Sequence, residues 1–340
     1  MMGAPRTVTF SPEEVARHNT AKSLWVIVNK KVYDVSEFMF DHPGGEELLL
    51  QHGGQDITKV MEDELEHLHS DSAYDMLETY FIGDLATDGY ARKPTVPLES
   101  DKNTSTLGKK EAFIDLKQPM LAQVWTKNFK KDVYMKQVHI PRHVNYSAPI
   151  FGHPALEMFT KTPWWVVPLV WTPLWATCIY YAIGSVSLAG TLMLAPVGLL
   201  IWTIIEYTLH RFLFHVDDIL PDNRYALTAH FLLHGIHHYL PMDRMRLVMP
   251  PALSLFLAVW IWTFFNSFLP TPIVLGLATG TIPGYVGYDL IHYYLHHGRP
   301  FAAHLREMKT YHLDHHYKDA NLGYGITSKL WDRVFGTVLY

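Results

Sequence analysis

The chain alternates between long stretches without charge and stretches rich in charge. Residues 162–205 are 44 consecutive positions without Asp, Glu, Lys or Arg, and residues 247–288 are another 42. Because a helix needs about 20 apolar residues to cross a bilayer, each run is long enough for two crossings. Turn-forming residues lie near the middle of each run, in GSVS and LPTP. The pattern predicts two helical hairpins with spans at residues 163–184, 186–206, 250–269 and 271–291.

Neither hairpin has a polar face, which disfavours the alternative of buried core helices in a soluble protein. The two predicted turns carry no Lys or Arg, whereas basic residues precede the first span in KNFKKDVYMKQVHIPRH and recur between and after the hairpins. Cytosolic loops of membrane proteins carry the excess of basic residues. The sequence therefore predicts a multi-pass membrane protein whose two termini and central loop face the cytosol.

Residues 5–87 have a mixed composition and predict a small α+β domain. The segment LWVIVNKKVYDV is rich in β-forming residues, and short helical stretches follow it. Residues 88–110 are polar, contain Pro and Gly, and lack hydrophobic periodicity, which is typical of a flexible tether. The membrane domain, an all-α four-span unit, is expected to occupy residues 111–340.

The bulk composition excludes several kinds of site. A net charge of −5 and a pI near 6.5 give no reason to expect a nucleic-acid partner. The only cysteine, Cys178, excludes a disulfide framework and a thiolate metal site. The first 20 residues have no apolar segment of the kind found in secretion signals, so the first domain is expected to remain in the cytosol.

Histidine is concentrated in the second half of the chain. Of 21 histidines, 13 follow Glu206, in the groups HRFLFH, HFLLHGIHH, HYYLHH and HLDHH, with His304 alone. The second and fourth predicted spans both return to the cytosol, so all the groups should meet on one membrane face. Neutral imidazole binds iron, zinc, copper and nickel without placing many carboxylates beside lipid. The pattern predicts a metal site in a cytosolic cap.

The spacing of the histidines refines this prediction. His292 and His296 are four residues apart, as are His230 and His234, so each pair can chelate one ion from one helical face. The HXXHH motifs at residues 234–238 and 312–316 can offer a ligand to each of two neighbouring ions.

His210 and His215 are five residues apart, about 140° around an ideal helix. Their spacing predicts either a distorted helix end or ligands for two different ions.

The first domain resembles the cytochrome b5 family over about 80 residues. The motifs WVIVNKKVYDVSEF, HPGG, GGQDIT, HSDSAYDML and FIGDL occur in that family's order. The resemblance implies a heme b with axial ligands His42 and His69, with His67 as the alternative to His69. Two imidazole ligands leave no open site for O2, so such a heme only transfers electrons. His18 and His52 are expected to be packing or surface residues.

From about Val144 to the C-terminus, the histidine motifs and the hairpin scaffold resemble the fatty acid hydroxylase superfamily of membrane di-metal oxygenases. Their fusion to a cytochrome b5 domain resembles the fatty acid 2-hydroxylases that act on sphingolipids. His230, His297 and His304 have no settled counterpart in the pattern. The resemblance implies ten metal ligands: His210, His215, His234, His237, His238, His292, His296, His312, His315 and His316.

The resemblance implies a monooxygenase of the endoplasmic reticulum membrane that uses O2 to 2-hydroxylate a very-long-chain fatty acyl group, as in ceramide. An unactivated methylene is too weak an acid for side-chain chemistry, so two iron ions are expected, although zinc binds the same ligands. No Gly-rich dinucleotide fingerprint occurs, so a separate reductase is expected to deliver electrons from NADH or NADPH. Asp289 or Asp314 is expected to fix imidazole tautomers.

Three alternatives remain. A cytochrome b5-fused acyl desaturase and a sterol or sphingoid hydroxylase, such as a sterol C-4 methyl oxidase, use similar histidine motifs and differ in their products. A histidine-rich metal transporter or sensor should place its ligands near the middle of its spans. None of the 13 clustered histidines is expected there, which disfavours a transporter.

Overall fold

The chain forms two compact units, residues 1–112 and 113–340. Residues 43–45 of the HPGG motif, His67 and the predicted tether 88–110 lie outside the described residues. A computed structural model describes residues 8–42, 46–62, 69, 71–86, 113–142, 144 and 146–339.

In its described residues the first unit is an α+β domain with a five-stranded sheet in the order β1-β5-β4-β3-β2, in which β1 and β5 are parallel and the other neighbours are antiparallel. Its strands are β1 (Thr9–Phe10), β2 (Asn19–Thr20), β3 (Ser23–Val28), β4 (Lys31–Asp34) and β5 (Phe81–Leu85). Its helices are α1 (Pro12–Val15), α2 (Glu46–Gln51), α3 (Thr58–Glu62) and α4 (Asp71–Leu77), with 3-10 turns at Phe38–Asp41 and Glu78–Tyr80.

The β3–β4 hairpin follows from local sequence. Its two-residue turn, Asn29 and Lys30, has φ values of 51° and 63°, the left-handed pair that matches the twist of the flanking strands. Leu24 and Val26 lie on β3, are fully buried and pack with Met39 in the core of this unit. The α+β prediction is therefore confirmed.

The second unit is helical. Its helices are α5 (Met120–Lys127), α6 (Lys131–Val138), α7 (Pro154–Glu157), α8 (Val166–Leu209), α9 (Arg224–His230), α10 (Ile236–Tyr239), α11 (Pro251–Asn266), α12 (Thr271–His297), α13 (Ala303–Tyr317) and α14 (Leu330–Phe335). Two π-helical segments, His210–Phe214 and Phe231–Gly235, follow α8 and α9.

The long helical run α8 reverses direction at Ser187, whose φ and ψ of 71° and 167° are not helical. Trp171 and Trp202 lie on either side of this residue, yet both contact Tyr285, with ring centroids 4.8 and 5.4 Å away. In a straight helix 31 residues would separate the two indoles by about 46 Å. The predicted turn in GSVS is therefore confirmed, and the chain also turns at LPTP, between α11 and α12.

The second half of α8 runs parallel to α12, and small residues let the two backbones approach closely. The Thr281 hydroxyl donates to the Gly198 carbonyl at 3.1 Å, and a Cβ on Gly280 would lie 1.7 Å from the carbonyl oxygen of Ala195. Trp202 packs on Gly284 farther along both helices. Both helices therefore end on the same side of the unit, where the histidines lie.

Among the described residues, one helical stretch, Val166–Phe214, has the length and apolar composition to cross a membrane. Helix α11 has 16 residues, which corresponds to about 24 Å. The four predicted spans are present as helical segments, and their crossing of a bilayer stays a prediction.

Candidate di-metal site

All ten predicted metal ligands are brought together, in two groups of five. Within each group the candidate ligand nitrogens lie within 4.8 Å of one another, and the side chains are buried. Cluster A contains His210, His215, His234, His238 and His315. Cluster B contains His237, His292, His296, His312 and His316.

The two HXXHH motifs divide their ligands between the clusters. In the first motif His234 and His238 join cluster A and His237 joins cluster B; in the second, His315 joins cluster A and its neighbour His316 joins cluster B. Residues four apart share a helical face, whereas the third histidine lies off that face. The clusters adjoin, since the rings of His238 and His316 are 4.3 Å apart.

The predicted distortion at the end of α8 is a π-helical segment. The backbone N–H of His215 donates to the carbonyl of His210 at 3.0 Å, a hydrogen bond that spans five residues instead of four. The wider turn brings residues five apart onto one side, and π-bulges of this kind are frequent at functional sites. Both side chains therefore reach cluster A.

The second π-helical segment separates His230 from His234, and the prediction that this pair chelates one ion is wrong. His234 joins cluster A, whereas the His230 ring accepts from the Tyr134 hydroxyl at Nδ1, 2.8 Å away, and contacts the Asp217 carboxylate with Nε2 at 3.1 Å. A single π-bulge between the two residues offsets their side chains.

The nitrogen geometry fits a bound cation. The Nε2 atoms of His215, His234 and His238 lie 3.1 Å from one another in all three pairs. A neutral imidazole nitrogen is either a donor or an acceptor, so at least one pair in this triangle cannot form a hydrogen bond. A metal ion accepts lone pairs from all three, and ligands bound at about 2.1 Å and at right angles to each other are about 3.0 Å apart.

Backbone carbonyls fix the tautomers of three imidazoles. The Nδ1 atoms of His210 and His315 lie 2.5 Å from the Tyr324 carbonyl oxygen and 2.6 Å from that of Leu322, respectively. The Nδ1 atom of His292 lies 3.0 Å from the carbonyl oxygen of Leu247 in the same way. A carbonyl only accepts, so each Nδ1 carries the hydrogen and each Nε2 offers its lone pair to the cluster.

Buried carboxylates hold the loop that carries two of these carbonyls. Glu206 accepts from the backbone N–H groups of Ile326 and Thr327, and Asp332 accepts from those of Tyr324 and Gly325. The loop at residues 322–327 is thereby fixed against cluster A.

The two aspartates expected to fix tautomers bond elsewhere. Asp289 accepts from the backbone N–H of Met249 and from the Tyr285 hydroxyl, and Asp314 pairs with Lys318 at 2.9 Å. Asp289 acts on the backbone beside Leu247, and Leu247 is the residue whose carbonyl orients an imidazole. At His210, His292 and His315, backbone carbonyls fix the imidazole tautomer, which is the role that the sequence analysis expected of an aspartate.

Burial keeps the ligands neutral. Loss of hydration lowers the pKa of every imidazole in the two clusters, to about 4 for His210 and about 3 for His292. Neighbouring imidazoles lower most of these pKa values further. At neutral pH each ring therefore has a lone pair available for a metal.

Sequence reasoning missed a polar network beside cluster A. Asp217 lies between His139, 2.9 Å away, and His230, 3.1 Å away. Burial raises the pKa of Asp217, but the hydrogen bonds from these two imidazoles outweigh it and hold the pKa well below its usual value. The available signal was the position of Asp217, two residues after a ligand.

The other described histidines of the second unit lie outside both clusters. His304 is exposed, with Nε2 3.0 Å from the Thr327 carbonyl oxygen, and His297 packs beside Tyr293 at a ring distance of 5.5 Å. In the first unit His18 stacks on Trp25 with ring centroids 3.5 Å apart, as expected for a packing residue.

The predicted heme ligands His42 and His69 belong to the first unit, and both are among the described residues. The His42 ring lies 5.8 Å from Phe38, and the His69 ring lies 6.5 Å from Tyr74. Phe38 and Tyr74 both pack against the hydrophobic core of this unit. Each imidazole thus has an aromatic neighbour that packs against the core of this unit.

Comparison with known families matches both units. Residues 11–86 match the family of cytochrome b5-like heme/steroid binding domains, which implies a heme, and residues 195–337 match the fatty acid hydroxylase family. The ceramide very long chain fatty acid hydroxylase SCS7 of Saccharomyces cerevisiae is 44% identical over 97% of this chain and 94% of its own. The fatty acid 2-hydroxylase of Homo sapiens is 34% identical over 98% and 96%, respectively.

Structural comparison agrees with these relatives. A solved structure titled full length scs7p, with only the hydroxylase domain visible, superposes with a TM-score of 0.65 at 47% identity, covering 68% of this chain and 88% of that one. The plant relative dihydroceramide fatty acyl 2-hydroxylase FAH2 of Arabidopsis thaliana is 38% identical over 66% of this chain and 93% of its own. The chain therefore belongs to the fatty acid 2-hydroxylase family, with a cytochrome b5-like domain followed by a helical hydroxylase domain.

Proposed function

We propose that the protein is a membrane monooxygenase that 2-hydroxylates the very-long-chain acyl group of a ceramide. The balanced reaction is R–CH2–CO–X + O2 + 2e⁻ + 2H⁺ → R–CHOH–CO–X + H2O, in which X is the sphingoid amide. The observation that carries the proposal is the convergence of ten neutral imidazoles into two adjoining groups at the end of α8 and α12. Relatives named for this activity support the substrate class.

Clusters A and B are proposed to hold one metal ion each, iron in the active enzyme. The ions would supply the redox chemistry that activates O2, which protein side chains lack. The protein's own part is to fix the ligands: the carbonyls of Leu247, Leu322 and Tyr324 hold three rings with Nε2 facing inward. The burial of the clusters also excludes bulk water, which protects reactive states from side reactions.

An apolar groove near the metal ligands is proposed to take the acyl chain. A cavity of about 320 Å³ lies between α8, α11 and α12. One end is lined by Leu209, which precedes His210, and by Met249, close to the carbonyl that orients His292. The other end is lined by Phe265, near the α11–α12 turn. An acyl chain in this groove would place its carboxyl end beside the metal ligands.

The four helical segments are proposed to cross the endoplasmic reticulum membrane, with both termini and the clusters on the cytosolic side. Large apolar side chains on the outer faces support this topology: Leu169 is 64% exposed, Met193 74% and Phe256 58%. Such side chains are stable in lipid and costly in water. The cytosolic side would give the clusters access to soluble electron carriers.

The cytochrome b5-like domain is proposed to bind heme b through His42 and His69 and to relay electrons from a separate NADH- or NADPH-dependent reductase. The tether 88–110 would keep this domain at a high local concentration near the hydroxylase domain. The domain boundaries at residues 5–87 and 111–340 belong to the same proposal.

Product analysis tests the proposed function. A cell that lacks its own 2-hydroxylase is complemented with this chain, and its ceramides are analysed by mass spectrometry. The proposal requires ceramides heavier by one oxygen atom, with the hydroxyl at C2 of the acyl chain. Acyl chains lighter by two hydrogens would instead identify a desaturase, and hydroxylated sterols or sphingoid bases would identify the other alternative.

A further inference from the structure

Asp217 occupies a distinct position beside cluster A. Its side chain is 14% exposed, and its Oδ2 atom lies 4.0 Å from Nδ1 of the cluster A ligand His215. When the Nε2 lone pair of His215 faces the cluster, its hydrogen must reside on Nδ1. Among the described residues this buried Nδ1, like that of His238, has no hydrogen-bond partner, in contrast to His210 and His315. At 4.0 Å the carboxylate acts on the ring through its charge and not through a direct hydrogen bond.

The carboxylate is held by a hydrogen bond from His139 and by a close polar contact with His230. Nε2 of His230 lies 3.1 Å from a carboxylate oxygen of Asp217, which can only accept, so this nitrogen carries the hydrogen and Nδ1 of the neutral ring accepts from the Tyr134 hydroxyl at 2.8 Å. Nε2 of His230 and Nε2 of His139 then point to different oxygens of Asp217, at 3.1 and 2.9 Å. Because both contacts require an acceptor, the network stabilises Asp217 as a carboxylate.

The two clusters differ in their nearby charge. Within the part of the chain that the structure describes, no carboxylate oxygen lies within 4.0 Å of an imidazole nitrogen of cluster B. The positive charge of Lys309 acts on the cluster B ligand His296. Ten neutral imidazoles compensate none of the positive charge of two divalent ions, so a nearby carboxylate favours the cation at cluster A.

We propose that Asp217 is the counter-charge and positioning residue of cluster A, and that the two metal sites are therefore inequivalent, with cluster A the tighter site. This inference rests on the proposed function only in requiring that each cluster holds an ion. Groups behind metal ligands typically change metal affinity 10- to 100-fold.

Zinc titration of the full-length, heme-loaded protein tests the proposal, and zinc is used because the heme itself contributes iron. The stripped protein is equilibrated with buffered Zn²⁺, and bound zinc per chain is measured by mass spectrometry. Asp217→Asn preserves the size of the side chain and removes its charge. One of the two binding steps should then require about 10- to 100-fold more free Zn²⁺, while the other is unchanged.

Matched variants separate charge from folding. Asp218→Asn makes the same change at the exposed neighbouring residue and should bind both ions as the wild type does. Tyr134→Phe retains the Asp217 charge and should lose much less affinity than Asp217→Asn. Equal losses in the two binding steps, or equal effects of the two variants, would show a structural role and overturn the proposal.

Ligand deletions assign the weakened step to a cluster. With cluster B disabled by His292→Ala, the added Asp217→Asn should still weaken the remaining site. With cluster A disabled by His315→Ala, it should have no further effect. The opposite pattern would contradict the assignment. A wild type that binds fewer than two zinc ions would instead refute the two-ion site of the proposed function, and unchanged binding by Asp217→Asn would refute only the present inference.

Discussion

His315 and His316 are adjacent in the chain but belong to different clusters. Nε2 of His315 lies 3.1 Å from Nε2 of His215 in cluster A, whereas Nε2 of His316 lies 3.1 Å from Nε2 of His312 in cluster B. Successive residues of a helix point about 100° apart, so one helix can serve two neighbouring ions. This division makes the two clusters separable by mutation.

We predict that His315→Ala and His316→Ala each lower bound zinc from two ions per chain toward one. Each variant removes one ligand from one cluster and leaves the other cluster complete. Both should abolish 2-hydroxylated ceramide in complemented cells without changing heme absorbance. The exposed His153 provides the control, since His153→Ala removes an imidazole outside both clusters. Retained product in either ligand variant would exclude that histidine from the site.

The contact between α8 and α12 should tolerate no side chain at Gly280. An added Cβ would lie 1.7 Å from the Ala195 carbonyl oxygen and 2.7 Å from the backbone nitrogen of Leu199. Because backbone atoms cannot move aside as side chains do, Gly280→Ala should destabilise the protein by about 3 kcal/mol or more, measured as a lower thermal midpoint in detergent.

Gly287, on the same helix, is the matched control because a Cβ there meets nothing within 4 Å. Gly287→Ala should be neutral or stabilise by up to about 1 kcal/mol through helix propensity. Equal midpoints for the Gly280→Ala and Gly287→Ala proteins would contradict the close helix contact.

A bulky side chain in the apolar groove should reduce the hydroxylation of long acyl chains more than that of short ones. Ala258 lines the groove, and Ala258→Phe adds a ring where the acyl chain is proposed to lie. Ala252→Phe adds the same ring at an exposed position of α11 that does not line the groove. In ceramides extracted from complemented cells, Ala258→Phe should reduce 2-hydroxylation, and the reduction should be greatest for the longest acyl chains. Ala252→Phe should cause no such loss, and neither variant should change zinc binding. An identical product profile for the two variants would place the chain elsewhere.

Loss of a heme axial ligand should be visible without any assay of activity. His42→Ala and His69→Ala are expected to abolish the Soret absorbance, since each removes one proposed iron ligand. His18→Ala is the control, because that ring stacks on Trp25. A wild-type spectrum for His69→Ala, together with a lost spectrum for His67→Ala, would move the second ligand to His67.

The sequence by itself predicted the helical hairpins, and the family resemblance named the ten histidines that the structure gathers into the two clusters. Runs of 44 and 42 uncharged residues predict helical hairpins with turns where α8 reverses and where α11 meets α12. Histidines four residues apart, such as His292 and His296, must share a helical face and do share cluster B. These features follow from the local spacing of residues along the chain, which does not depend on tertiary contacts.

Tertiary structure decided the partners. The π-helical segments bring His215 into cluster A and divert His230 to Asp217, because one extra residue in a helical turn rotates everything that follows. The carbonyls that fix imidazole tautomers come from Leu247 and from the loop at residues 322–327. Because every residue has a backbone carbonyl, no residue type in the sequence distinguishes these ones. Sequence cannot mark which carbonyl will lie beside a ligand, since two of the three carbonyls belong to residues 45 and 114 positions away from the imidazole that they orient.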